Sequence, residues 1–152
     1  MNRRGILASV LTAAGGLFAA SAASAKAAPE SPRAPDKTKV VYHLTDLDKV
    51  GFALNNIKNH YDGVGGPANV TIVLVVYGPA LKAFHAATAG PETVKRLADF
   101  SKAGLQLNVC GNTMKAQEVT LKDLLPGFVL AEGGGVVRIS ELQSMGYVYL
   151  KP

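Results

Sequence analysis

The chain has 152 residues, 48% of them apolar, and a formal charge of +5. That is the length of one domain with enough apolar side chain for a core, and it argues against a low-complexity or collagen-like chain. The Lys and Arg residues form no cluster interleaved with aromatics, so nucleic acid is not an expected partner, and a single cysteine excludes an internal disulfide.

The first 25 residues read as an export signal. Arg3 and Arg4 open a basic start, Ile6 to Ala22 is a mildly apolar run rich in Ala and Gly, and Ala23-Ser24-Ala25 supplies the small residues of a cleavage site. The arginine pair points to the twin-arginine route, although Asn2 and Gly5-Ile6 depart from its usual motif. The apolar run is short and broken by Gly and Ser, which disfavours a membrane anchor. Cleavage after Ala25 gives a periplasmic chain with no remaining membrane segment, and loss of the two arginines takes the formal charge from +5 to +3. Residues 26–38 carry Pro29, Pro32 and Pro35 among small and charged residues and read as a flexible linker. The domain is expected over residues 39–152.

Val40-Val-Tyr-His43-Leu44 is a short β-prone run, expected as the first strand, with Thr45 and Asp46 as caps. Leu47, Val50, Leu54, Ile57 and Tyr61 then fall at helical spacing. Gly63 to Pro67 is a glycine loop. Val70 to Val76 is apolar at every position but Thr71, as expected of a strand in the middle of a sheet covered on both faces. Pro79 suits a helix start, with Leu81, Phe84 and Ala87 on one side. Gly90 ends that helix. Pro91 opens another, with Val94, Leu97 and Ala98 expected inward and Gly104 as its C-terminal cap.

Leu105 to Val109 is a strand that delivers Cys110 to its end. Gly111 to Gln117 reads as a short helix, with Asn112 or Thr113 as N-cap. Thr120 and Asp123 have the spacing of a capping box. Phe128 to Ala131 is a fourth strand. Gly133-Gly134-Gly135 reads as a tight turn, without the Lys and Ser/Thr of a phosphate-binding loop. A helix follows with Val136, Ile139, Leu142 and Met145 on one side, and Tyr147 to Leu150 is a fifth strand. Strands alternating with helices define an α/β domain with a mostly parallel five-stranded sheet.

Reactive groups in such sheets gather at the C-terminal strand ends. Cys110 and His43 both stand there and are expected on one rim. A thiol at a helix N-terminus meets unpaired N–H groups, which favour the reactive thiolate. Against that stands the common role of free cysteine as a small buried apolar residue. In an oxidising compartment a lone thiol is buried, paired between chains or used, which shifts the balance towards use.

Four stretches, Val40 to His43, Asn108 to Met114, Leu124 to Gly127 and Leu142 to Lys151, resemble the DsrE/DsrF-like family of small sulfur-metabolism proteins. The likeness spans Lys39 to Pro152. It implies a three-layer α/β/α fold, assembly into trimers or hexamers, and a strand-end cysteine that carries a persulfide between sulfur donor and acceptor proteins; Cys110 matches that position. Gly111-Asn112-Thr113 stands where the characterised carriers have arginines. The expected site is therefore Cys110, with Asn112 and Thr113 donating hydrogen bonds to its sulfur and His43 as a neighbour on the rim, and no cofactor or metal. A non-enzymatic binding module with Cys110 lining a pocket is the alternative. A metal held by Cys110 with His43 or His85 ranks below both, because no close ligand spacing is present. His43 itself reads more readily as a strand residue hydrogen-bonded to a loop than as a base, His85 as a solvated helix residue, and His60 as a cation at a helix C-terminus.

Overall fold

The computed structural model describes residues 37–152. The export signal and all but the last two residues of the linker lie outside the described residues. Five strands form one sheet: β1 (Thr38–Leu44), β2 (Val70–Val76), β3 (Gln106–Cys110), β4 (Phe128–Ala131) and β5 (Val148–Leu150). Their order is β4-β3-β2-β1-β5, and every neighbouring pair is parallel. β1 begins two residues earlier than expected, at Thr38.

Parallel neighbours need long crossovers, and these are α1 (Val50–Gly63), α2 (Pro91–Lys102), α3 (Gly111–Ala116) and α4 (Gly135–Ser144). The first three pack with alternate strand residues, Val40, Tyr42 and Leu44 of β1 and Ile72, Leu74 and Val76 of β2 among them. The chain leaving β4 crosses to the far edge of the sheet beside β1, and α4 covers the other face on the way, with Ile139 and Leu142 on Val41, Val73 and Val75. The result is three layers. β2, buried nearly throughout, is central as its composition requires.

Several local expectations are corrected. The segment after Pro79 is a 3₁₀ helix, Gly78–Phe84, not an α-helix, and Ala87 lies beyond it and exposed. Three-residue periodicity still stacks Leu81 above Phe84, and both are fully buried. Val94 and Ala98 face outward, leaving Leu97 as the one buried residue of α2. Val136 and Met145 are exposed, so only Ile139 and Leu142 of the predicted apolar side of α4 reach the sheet. The Thr120–Asp123 capping box forms, with Thr120 N–H and hydroxyl both donating to the Asp123 carboxylate at 2.8 Å.

Candidate functional site

β3 passes into α3 without a connecting loop, so Cys110 ends the strand and is itself the N-cap of the helix. The expected caps, Asn112 and Thr113, occupy the first turn instead. In this geometry a cap side chain faces the N–H groups of the second and third helical residues. Those residues are Asn112 and Thr113, so the sulfur stands where Ser or Asp would place oxygen. A neutral thiol is a weak acceptor, and no side-chain cap bond forms in that state.

Burial pushes the Cys110 thiol up, but the Thr113 hydroxyl and the N–H groups of Thr113, Gly135 and Asn112 outweigh it and hold the thiol below its ordinary range. Two helix N-termini, those of α3 and α4, thus converge on one sulfur. The Thr113 hydroxyl is aimed by its neighbours. It accepts the Gly78 N–H at 2.9 Å, which turns its own hydrogen elsewhere. The Gly78 carbonyl is held in turn by Gln117 Nε2 at 2.9 Å, and Gln117 Oε1 pairs with His85 Nε2 at 2.9 Å. His85 is therefore a partly buried tie between the 3₁₀ segment and α3, not the solvated helix residue that its sequence context suggests. Gly78 adopts φ +61°, a conformation that suits glycine and lets both of its peptide groups face α3.

The sulfur is at the expected rim but is not open: Cys110 is 6% exposed. Its surroundings are donors rather than a sealed apolar core. Gly134, at φ +97°, lies over it, and a Cβ added there would stand 3.8 Å from Sγ and 3.1 Å from Asn112 Nδ2. Gly135 has a different constraint, since a Cβ would meet Tyr77 Cδ1 at 2.5 Å. The Gly133-Gly134-Gly135 turn thus admits the sulfur on one side and a tyrosine ring on the other.

His43 reaches the same face and rim but makes no hydrogen bond to Cys110. Its ring stacks on Tyr77, with centroids 4.7 Å apart, and its Nδ1 shares a 2.6 Å hydrogen bond with the Tyr149 hydroxyl. Its Nε2 is buried without a partner among the described residues. Burial first, and the Lys151 charge second, hold the His43 pKa below the usual value, against the opposing pull of Asp46. Tyr77 is pushed up by burial, then by Tyr149 and Cys110. His60, in the last turn of α1, bonds Tyr42 at 3.0 Å, on the face of the sheet opposite Cys110. Among the described residues no three His, Cys, Asp or Glu side chains gather as a metal site, and no helix is long and apolar enough to cross a membrane.

Sequence reasoning gave Tyr77, Gly78, Gln117, Gly135 and the Asn108–Arg138 pair no part in the site. One signal was available: Asn108 is a polar residue between the apolar Leu107 and Val109, two residues before Cys110 and therefore on the same face.

A three-layer domain with an all-parallel sheet and a thiol poised at a strand end defines a class of small α/β proteins. The chain belongs to the DsrE/DsrF-like family, whose model matches residues 37–152. That family is generally linked to sulfur relay. Among solved structures, the fold is similar to the protein of unknown function MTH1491 from Methanobacterium thermoautotrophicum (24% identity, TM-score 0.67, 76% of this chain and 100% of that one). It is also similar to the ychN protein from E. coli (11% identity, TM-score 0.60, 76% and 99%). A third likeness is to the conserved protein of unknown function BT1422 from Bacteroides thetaiotaomicron (14% identity, TM-score 0.56, 75% and 94%). A search of curated proteins gives no match.

Proposed function

We propose that this protein carries sulfane sulfur as a persulfide on Cys110, in the periplasm, after export and cleavage behind Ala25. The observation that carries the reading is the convergence of the Thr113 hydroxyl and three backbone N–H groups on one sulfur. The thiolate attacks the outer sulfur of a donor persulfide, the donor's S–S bond breaks, and the donor leaves as its own thiolate. The transferred sulfur arrives protonated, and the same donors favour its ionisation to the persulfide anion, with the proton released to water. Asn112 and Thr113 hold the charge, and His43 supports the rim through Tyr77 rather than acting on sulfur. The reading includes a homo-oligomer, a trimer or hexamer, which is supported by exposed Val136 and Val137 on α4, Met145 just after it, and Val129 and Val148 on the edge strands.

The test is intact-mass measurement of protein purified from its own cells under non-reducing conditions. A gain of one sulfur atom that maps to Cys110 and is lost in Cys110→Ser supports the carrier. An unmodified thiol that also resists iodoacetamide at neutral pH overturns it.

One observation favours a second reading. Cys110 is nearly buried, and beside it lies a groove of about 650 Å³ with Met114, Val119, Leu121 and Leu130 in its walls. A non-enzymatic module would bind its ligand there with Cys110 as part of the frame. Cys110→Ser leaves binding intact in that case and abolishes sulfur transfer in the first.

A further inference from the structure

We propose that the groove between β4 and α4 binds the sulfur donor of Cys110, and that this donor is a small zwitterionic thiol compound of the α-amino acid type, such as an amino acid persulfide. The proposal rests on the carrier reading above and adds the substrate class to it.

Asn108 is the only buried polar or charged side chain among the described residues, at 5% exposure. It lies in a row across the α4 face, beside Val75 on one strand and Val129 on the other. A third valine would fill such a place without the desolvation cost of an amide. Its Oδ1 accepts from Arg138 Nε at 2.7 Å, and Arg138 Nη1 donates to Glu141 at 3.2 Å. That uses two of the guanidinium's five N–H groups. The other three, and the Asn108 Nδ2 donors, have no partner among the described residues. Both side chains line a groove of about 370 Å³ that also holds Glu132, Gly134 and Glu141.

The charges in this groove are one guanidinium and two carboxylates. A purely anionic donor gains the guanidinium and amide but is opposed by Glu132 and Glu141. A purely cationic one gains the carboxylates and is opposed by Arg138. A molecule with both a carboxylate and an ammonium group satisfies all of them, with its carboxylate on Arg138 and Asn108 and its ammonium towards Glu132. The groove is bordered by Gly134, the residue whose missing Cβ would otherwise stand 3.8 Å from Sγ. Gly134 thus borders both the groove and the sulfur and places no side chain of its own between them. In the transfer, the Cys110 thiolate attacks the outer sulfur of R–S–S–H. The S–S bond breaks, the amino acid departs as R–S⁻, and the transferred sulfur keeps its proton as Cys110–S–S–H. No oxidant is required.

The test separates recognition from sulfur carriage. The full chain is mixed with four symmetrical disulfides: cystine (zwitterionic), dithiodipropionate (anionic), cystamine (cationic) and hydroxyethyl disulfide (neutral). Each exchanges as Cys110–S⁻ + R–S–S–R → Cys110–S–S–R + R–S⁻, followed by intact mass and corrected by the rate of a free model thiol. We expect cystine to exceed the neutral compound by about tenfold, and the other two to fall below cystine. In Arg138→Gln the cystine-to-neutral ratio falls towards one. Glu132→Gln, a change to an exposed side chain, lowers the same ratio and decides the matter if Arg138→Gln does not fold. An absent cystine preference, or one that survives in the variants, overturns the proposal. So does failure of all four to react. Cysteine persulfide is then tested separately: selectivity for cystine without gain of sulfur keeps the groove and overturns the carrier, and gain of sulfur without selectivity does the reverse.

Discussion

On one face of the sheet, Val40, Tyr42, Leu44, Ile72 and Leu74 pack with α1, α2 and the 3₁₀ segment into a continuous apolar core around Phe84. On the other, Val41, Val73 and Val75 form a smaller cluster with Ile139 and Leu142 of α4, flanked by the half-buried Tyr77 and Tyr147. The same strands supply both faces, since successive side chains alternate. On the second face the apolar row gives way to His43, Asn108 and Cys110 as it nears the C-terminal strand ends. Polar groups there are tolerated because the first face already secures the fold. Stability and chemistry are thus divided between alternate positions of the same strands.

The largest expected effect tests the first half of that division. Phe84→Ala removes a fully buried ring from the thick face and should cost about 3–5 kcal/mol in urea denaturation. Its remaining folded molecules should alkylate at Cys110 at the wild-type rate. A changed rate per folded molecule would break the comparison.

Gly135→Ala should disturb the second face as well as stability. Its Cβ would lie 2.5 Å from Tyr77 Cδ1, and that ring is stacked on His43, which limits its retreat. The overpacking should cost about 1–3 kcal/mol. It should also shift the first turn of α4 away from the sulfur, so that the midpoint of the alkylation rate against pH moves up. A Cys110 profile like wild type would show that α4 contributes nothing to the thiolate.

Thr113→Val sharpens the picture on a smaller scale. The change keeps the shape but deletes the hydroxyl that faces Cys110 and leaves the Gly78 N–H without its acceptor. Stability should fall by about 1–2 kcal/mol, and iodoacetamide alkylation at pH 7 should slow by about three- to tenfold. Thr113→Ser should restore both. Because folding lowers the Cys110 pKa, the unfolded chain binds the extra proton. The thiolate's contribution is therefore complete above the unfolded value of about 8.5 and disappears as pH falls through the folded one. The stability difference between wild type and Cys110→Ala should accordingly rise between pH 7 and pH 9.5.

Much of the architecture was legible in the sequence because each strand is a short β-prone run closed by Gly, Pro or a cap, and the signals are local. The faces of α2 and α4 were less so. Val94, Ala98, Val136 and Met145 satisfy helical spacing as well as Leu97 and Ile139 do, and nothing in the pattern says that the covered stripe is only one or two residues wide. The 3₁₀ form after Pro79 was hidden for another reason: Gly78 is held by Thr113 and Gln117, more than 30 residues away. Cys110, Asn112 and Thr113 could be found as neighbours in one short stretch. Their true roles depended on α3 starting at Gly111 with no intervening turn, which makes cysteine the cap. Gly135 and Arg138 come to the site only through the crossover from β4 to β5, and no local spacing announces that.

The smallest expected effect concerns His43, on the polar part of the second face. Protonation would place N–H on both ring nitrogens. Nδ1 has Tyr149, but Nε2 is buried with no acceptor among the described residues. That is the physical reason why the folded state disfavours the cation, reinforced by Lys151 and opposed by Asp46. The unfolded chain binds the proton at about pH 6.5, before the folded one does. The ring's contribution is therefore complete above that value and lost as pH falls below it towards the folded pKa. His43→Phe keeps a ring to stack on Tyr77 but cannot titrate. Urea midpoints at pH 8 and pH 5 should fall further on acidification for wild type than for His43→Phe, while the other histidines and carboxylates cancel in the difference. Equal falls would mean that Nε2 finds an acceptor when charged, and that this part of the face is less closed than Asn108 and Cys110 beside it.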